Sequence, residues 1–377
     1  MIRVGITGQS GFIGTHLYNT LGLYPGEFER ILFLDDFFHD DAALRKFVRQ
    51  CDVIIHLSAL NRHSYPKVLY DTNMRLVTQL IACMDAEKVT PYVLFASSIQ
   101  EEKDNAFGKS KRDGRLMLEE WAVKRGASFT GLIIPNVFGP FSRPFNNSFI
   151  ATFCYQLTHG ETPQLLQDSD VKLVYVANLC ELIIQKIRKQ AKKTVHLVSC
   201  YEVSWDFQHR VSSILNLLQQ YRELYLHRGI IPELNDPNDF NIFNTFCSYI
   251  DFKSHYPVRL EQHPDMLGML VETSHMGVGG QLSFCSTLPA ATRGNHYHIR
   301  TLSRLTVIKG QALVKMRKIG TKEILEFNLD GNTPSYIDIP VWYVHNITNI
   351  GSEPLYIQLW QNKIYLAELD DTFYEQV

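Results

Sequence analysis

The stretch Arg3-Val-Gly-Ile-Thr-Gly-Gln-Ser-Gly-Phe-Ile-Gly14 decides the fold of the first half of the chain. Arg3–Thr7 reads as a buried strand, Gly8-Gln9-Ser10-Gly11 as a tight turn, and the residues from Phe12 onward as the start of a helix. Glycine is required where the backbone turns sharply and where it must approach a pyrophosphate. The helix start then offers unpaired N–H groups and the positive end of its dipole to that anion. Gly8, Gly11, Phe12, Ile13 and Gly14 are therefore candidate dinucleotide contacts.

Working outward, candidate strands at Ile31–Leu34, Val53–Leu57, Tyr92–Ala96 and Gly131–Ile134 alternate with amphipathic stretches as far as about Cys200. This alternation predicts a parallel sheet covered on both faces. Asp35 closes the second strand at the position where a carboxylate accepts a ribose 2′-hydroxyl, and Asp36 follows it. Two acids there repel a 2′-phosphate, which favours NAD(H) over NADP(H). Leu57, Ser58 and Ala59, after His56, are expected to pass beneath the pyrophosphate.

Farther along, Phe207, Val211, Ile214, Leu217 and Leu218 give Glu202 to about Arg228 a helical period, and Pro232–Asn241 is a breaker-rich connection. Beyond about Phe252 the texture changes to short segments at Gly280–Cys285, Leu305–Ile308, Ala312–Arg317, Glu323–Phe327, Ser335–Ile339 and Leu355–Trp360. Such spacing predicts an antiparallel sandwich or barrel. The division is drawn at residues 1–245 and 246–377.

Composition agrees with two folded domains: 377 residues, 45% hydrophobic and 20% charged. Lys plus Arg is 37 against 39 for Asp plus Glu, a net charge of -2. This gives no sign of a nucleic-acid or anionic-membrane partner. No apolar run reaches the ~18 residues of a membrane span, and no leader peptide is read at the N-terminus. Seven cysteines, scattered singly without a C-x-x-C pair, argue against disulfide frameworks and thiolate zinc sites and favour the cytoplasm.

Thr7–Gly14, His56–Ala59, Ser97-Ser98 and Pro135–Pro140 together resemble the extended short-chain dehydrogenase/reductase family. That family uses a serine, a tyrosine and a lysine four residues later around a reacting carbonyl. The resemblance implies Ser98 and Lys111 in two of these roles, with Phe107 at the tyrosine position. A phenyl ring cannot pass a proton, so Lys111, a water or a substrate hydroxyl would have to supply it. Lys111 would also hold the nicotinamide ribose. The loop of Asn136 and Phe138 resembles the one lining the sugar-nucleotide pocket. Asn147 lies just beyond it, and Arg62 is a further candidate contact.

In the second half, His296 and His298 are two apart and share one face of a strand, and His345 follows in Pro340–Asn349. Three imidazoles with an open position suit zinc. This region resembles the cupin superfamily, matching at His296, His298, Gly310, Pro340, His345 and Asn349. It departs at Ala290, at Trp342, and at Leu302 or Ser303, where the motif has a carboxylate. The implied fold is a Rossmann-type doubly wound parallel sheet followed by an all-β cupin (jelly-roll) domain.

The two halves in one chain are similar to the bacterial CapF/WbjC family, with Ser97–Gln100, Asn147–Tyr155, Arg293–His298, Ile339–Asn346 and Asp371–Val377 carrying the likeness. The resemblance implies a homodimeric bifunctional enzyme of capsule or O-antigen synthesis. Its cupin half would epimerise C3 of a UDP-2-acetamido-2,6-dideoxy-4-hexulose. Its reductase half would then reduce the C4 ketone, giving UDP-N-acetyl-6-deoxy-L-talosamine. A base is needed at C3; Tyr297 is expected to point away from its histidine neighbours, which leaves Tyr343 ahead of it, with His275 a further candidate. Phe107 and the missing carboxylate also admit a descendant with epimerase activity alone, or a non-catalytic nucleotide-binding or assembly protein.

Overall fold

The computed structural model describes residues 1–192, 195–260, 262–265, 268–271, 274–276, 280–362 and 371–377. They form two compact units, Met1–Phe149 with Ser169–Val211, and Ile150–Asp168 with Ser212–Val377.

In the first unit, strands β1 (Ile2–Thr7), β2 (Phe28–Ile31), β3 (Val53–His56), β4 (Tyr92–Ser98), β5 (Phe129–Ile134) and β8 (Val198–Glu202) form one sheet in the order β2-β1-β3-β4-β5-β8. Every pairing is parallel. A second sheet joins β6 (Asn136–Phe138), β7 (Asp170–Tyr175) and β9 (Phe207–Arg210). Residues alternating along the main sheet enter two different cores. Val53 and Ile55 pack with Leu17, Leu21 and Ile183. Ile54 packs with Phe47, Leu80 and Trp121. Burial on both faces explains the unbroken apolar runs in the sequence. The strand order reverses between β1 and β3, which opens a crevice at their C-terminal ends.

The second strand is Phe28–Ile31, not Ile31–Leu34. Its register against β1 runs from Ile2↔Phe28 to Gly5↔Ile31. Phe33 instead leaves the sheet and packs its ring 4.9 Å from that of Phe47, centre to centre. Asp35 thus opens a short 3-10 turn, Asp35–His39, and does not close a strand. The stretch expected to be helical to Arg228 divides into β9, a helix at Val211–Tyr221 and a wider π turn at Arg222–His227. Within the breaker-rich connection, Asp236 caps a helix at Pro237–Cys247 by accepting from the Asn238 and Asp239 amides at 2.6 and 3.1 Å. An Asp followed by Pro is a helix start as readily as a loop, because the first helical residue needs no N–H.

The second unit holds β10 (Ile230–Ile231), β11 (Val258–Arg259), β12 (Gln262–Asp265), β13 (Gly268–Val271), β14 (His275–Met276), β15 (Gln281–Thr287), β16 (Thr292–His298), β17 (Ser303–Lys309), β18 (Gln311–Lys318), β19 (Ile324–Asp330), β20 (Ser335–Ile339), β21 (Tyr343–Asn349), β22 (Leu355–Gln361) and β23 (Thr372–Tyr374). Two five-stranded sheets carry most of them, β11-β20-β17-β22-β15 and β19-β18-β21-β16-β23. All their pairings are antiparallel.

The chain texture assigns residues 212–245 to the first half, whereas their contacts group them with the second unit. A buried polar network explains the difference. Arg304 on β17 donates to both carboxylate oxygens of Asp338 on β20, at 2.8 and 3.0 Å. The hydroxyls of Tyr225 and Tyr256 donate to the same carboxylate. The guanidinium lies 3.8 Å from the centre of the Tyr336 ring and also reaches the Gly229 carbonyl. Both charged side chains are only 2% exposed.

Candidate functional site

Gly8 takes a φ of +71°, and a β-carbon there would lie 2.9 Å from the Ser58 amide nitrogen. At Gly14 a β-carbon would come 2.2 Å from the Gly8 carbonyl oxygen. Only glycine lets this turn close on itself. Gly11 donates its amide to Gly8 at 3.0 Å and caps the helix Phe12–Gly22, whose first turn carries no acid. The helix start is thus electrostatically open to an anion.

Around the turn, the Ser10 hydroxyl donates to Asp35 at 2.6 Å, tying the exposed acid to the glycine loop. Asp36 and Arg62 are exposed. Leu57, Ser58 and Ala59 are half-buried below the turn, and Phe12 and Ile13 are half-buried at the helix start. The Ser58 amide donates to Thr7 Oγ1, which shares a 2.7 Å hydrogen bond with His56 Nδ1. Burial, reinforced by the Lys111 charge, lowers His56 to about 3, so its ring is neutral. Ser58 Oγ and His56 Nε2 are buried polar atoms with no hydrogen-bond partner. A glycine cradle, an acid beside it and an orphaned hydroxyl beneath it fit a bound dinucleotide.

Ser97 and Ser98 have separate tasks. Ser97 is buried and bonded to Glu101, which pairs with Arg115 at 2.9 Å. Ser98 is half-buried and its Oγ accepts from the Gln100 amide at 3.1 Å, capping the turn after β4. Lys111, on the helix Ala106–Arg125, is buried with its Nζ donating to the Ala96 carbonyl at 2.9 Å. Burial lowers its ammonium to about 8, against an opposing pull from Glu101. Phe107, one turn earlier, has its ring centre 5.6 Å from Nζ. Ser98, Phe107 and Lys111 thus follow one another at the C-terminal end of β4 and the start of the next helix.

The proposed substrate loop is less uniform. Asn136 is exposed and donates to the Lys172 carbonyl at 3.2 Å, and Asn147 is exposed. Phe138 is wholly buried against the rings of Tyr175 and Phe207. Its side chain is a core residue of the first unit and cannot also line a sugar pocket.

In the second unit the three predicted imidazoles adjoin one another on one face. His296 lies opposite His345 in the β16–β21 pairing. The ring centres are 4.6 Å apart for His296 and His345, 5.1 Å for His296 and His298, and 6.3 Å for His298 and His345. A bulge at Asn295, whose φ is +53°, shifts the register and brings His296 opposite His345. Tyr297 projects the other way, stacked between Trp342 and Phe373. His298 Nδ1 faces the Asp371 carbonyl at 2.9 Å, which fixes the ring's orientation. Burial and the two neighbouring imidazoles hold His345 down to about 3, in the neutral form a metal requires. The donor chemistry therefore suits zinc, yet among the described residues no three His, Cys, Asp or Glu side chains converge as a coordination group.

Tyr343, expected as the base, is buried beside Phe252, and burial pushes its phenol up to about 12. It holds its proton at neutral pH and suits a donor better than a base. The side chain of His275 lies outside the described residues. Sequence reasoning passed over Asp371, whose carboxylate accepts from the Ile299 and Arg300 amides and the Thr301 hydroxyl, fixing the turn after His298. It also passed over Tyr374, opposite His296 with its ring centre 6.1 Å away. Both lie more than 70 residues beyond the histidine pair, and no local pattern connects them.

Residues 4–198, more than half of the chain, match the model of the NAD dependent epimerase/dehydratase family. The chain belongs to that family. Residues 263–373 match a second model, Polysaccharide biosynthesis C-terminal domain. This epimerase/dehydratase family member is 28% identical over 375 residues to UDP-2-acetamido-2,6-beta-L-arabino-hexul-4-ose reductase of Pseudomonas aeruginosa, covering 99% of this chain and 98% of that one. The crystal structure of the capsular polysaccharide assembling protein CapF from Staphylococcus aureus matches with a TM-score of 0.59, 27% identity and full coverage of both chains. RMD from Pseudomonas aeruginosa, complexed with NADPH, matches 59% of this chain and 83% of its own at a TM-score of 0.52 and 17% identity, a likeness of fold alone. The chain is CapF-like from end to end, as its sequence motifs imply. The expected class, a nicotinamide-dependent sugar-nucleotide reductase/epimerase, agrees with these matches. No described helix is long and apolar enough to cross a membrane.

Proposed function

We propose that the chain epimerises C3 of a UDP-2-acetamido-2,6-dideoxy-4-hexulose in its second unit, a cupin, and reduces the C4 ketone in its first, giving UDP-N-acetyl-6-deoxy-L-talosamine. The observation that carries this reading is one chain holding both a dinucleotide cradle with a buried lysine and a face of three adjoining imidazoles. A 4-keto group acidifies C3–H, so epimerisation before reduction is the chemically sensible order.

In the first unit a bound nicotinamide supplies the hydride. NAD(H) is the preferred form, because Asp35 is held beside the glycine loop by Ser10. Ser98 orients the C4 carbonyl, and Lys111 holds the nicotinamide ribose. With Phe107 in the tyrosine position, the Lys111 ammonium is the proton source for the C4 alkoxide. Asn136, Asn147 and Arg62 contact the sugar nucleotide. In the second unit His296, His298 and His345 are the residues that would hold zinc, and the Tyr343 hydroxyl, which keeps its proton, donates a hydrogen bond to the substrate; no step here depends on the metal. A cytoplasmic homodimer completes the reading.

The test is the absorbance of NADH, and separately NADPH, at 340 nm with the purified chain and the 4-keto sugar nucleotide, alongside NMR for solvent deuterium at C3. Oxidation together with exchange supports two activities. Exchange alone reduces the reading to an epimerase, and neither leaves a nucleotide-binding protein without turnover.

A further inference from the structure

The row of side chains on one face of β18 ends in an unusual residue. Ala312, Val314 and Met316 alternate along the strand and are fully buried, and Lys318 is the next residue in that row. Lys318 is half-buried at the end of this apolar row.

Register shows what shares this face. Val314 lies opposite Ile347, Met316 opposite His345 and Lys318 opposite Tyr343. His345 in turn lies opposite His296. Directly opposed residues of an antiparallel pair project to the same side, with β-carbons about 5 Å apart. Lys318, Tyr343, His345 and His296 therefore project from one face, with His298 two residues beyond His296.

We propose that Lys318 is the base that removes the C3 proton of the 4-keto sugar in the second unit. This inference rests on the epimerase reading above. The C3–H bond breaks and its proton passes to the lone pair of Nζ. The bonding electrons form the C3–C4 double bond, and the C4 oxygen becomes an enolate. The enolate collapses back to the ketone as C3 takes a proton from water on the opposite face, and the ammonium returns its proton to solvent. Nothing is oxidised or reduced. Burial favours this use, because desolvation lowers the Lys318 ammonium to about 8 and maintains a supply of free amine near neutrality.

The experiment compares the full chain with Lys318→Met and Lys318→Arg, each incubated in deuterium oxide with UDP-2-acetamido-2,6-dideoxy-4-hexulose and no nicotinamide. Proton NMR follows the C3 signal, while thermal melting and NADH binding report folding. The Met variant retains the aliphatic stem. The Arg variant also retains the positive charge but stays protonated at neutral pH. Both are expected to lose exchange by about 10²–10⁴-fold, the usual contribution of a general base. Wild-type exchange in the Arg variant would show that charge alone suffices and overturn the proposal, and wild-type exchange in the Met variant would show that Lys318 has no role. Because Arg conserves both stem and charge, a Met variant that fails to fold leaves the question answerable. A wild-type chain without exchange overturns the epimerase reading together with this inference, whereas exchange undiminished in the variants overturns the inference alone.

Discussion

The glycine-loop site and the histidine face are built in opposite ways. At the first, the residues that matter are largely consecutive: Gly8 to Gly14 make the turn, Ser58 reaches it from just beyond β3, and Asp35 from the 3-10 turn that follows β2. At the second, three strands far apart in the sequence supply one face. His296 and His298 come from β16, His345 from β21 and Asp371 from just before β23. A contiguous turn holds its shape through its own backbone, so its function should be sensitive to added atoms. A face assembled across strands depends on register and on distant partners, so its function should be sensitive to lost contacts.

Four experiments sharpen or break this contrast. The largest expected effect is a gain: Phe107→Tyr restores a phenol near Lys111, and ketone reduction followed at 340 nm should rise by about 10²–10⁴-fold. No gain would show that the consecutive site has lost more than one hydroxyl. Next, Asp338→Ala leaves the Arg304 charge buried without its partner. The second unit should lose about 3–5 kcal/mol by thermal melting, with NADH binding by the glycine loop retained.

Gly14→Ala drives a β-carbon against the Gly8 carbonyl. NADH affinity, read by fluorescence titration, should fall about 100-fold while exchange at C3 persists. Asp371→Ala releases the turn behind His298, and zinc affinity by competition with a chelating dye should fall about 10–100-fold. Retained affinity would separate the C-terminal segment from the histidine face.

The pH dependence has a definite sign. Lys111 is protonated below about 8 and loses its proton as pH rises through that value. Reduction that draws on its ammonium should be level on the acid side and fall by about tenfold per pH unit above 8. A profile that stays level to pH 10 would assign the proton to water.

Much of the first unit was legible because its signals are local. Strand, glycine turn and helix follow one another without a gap, and four of the five predicted strands lie where expected. The displaced one failed for a tertiary reason: Phe33 looks like a strand residue but is drawn into a cluster with Phe37, Phe38 and Phe47. Phe138 carried a family motif on a core side chain, and only its burial distinguishes the two roles. In the second unit the two-residue period of His296 and His298 correctly gave one face, and Tyr297 the other.

By itself the sequence determined the two-part α/β then all-β organisation, the glycine turn between the first strand and helix, and the shared face of His296 and His298. Each of these is written in periodicity or in residues close together along the chain, whereas Phe107 at the tyrosine position and His345 as the third imidazole came from family resemblance. Tertiary structure alone decided that residues 212–245 group with the second unit, that Asp371 orients His298, and that Lys318 shares a face with Tyr343 and His345. These facts depend on strand register and on buried polar partners at large sequence separation. A strand shifted by one residue presents its other face, so no reading of one segment in isolation can supply them.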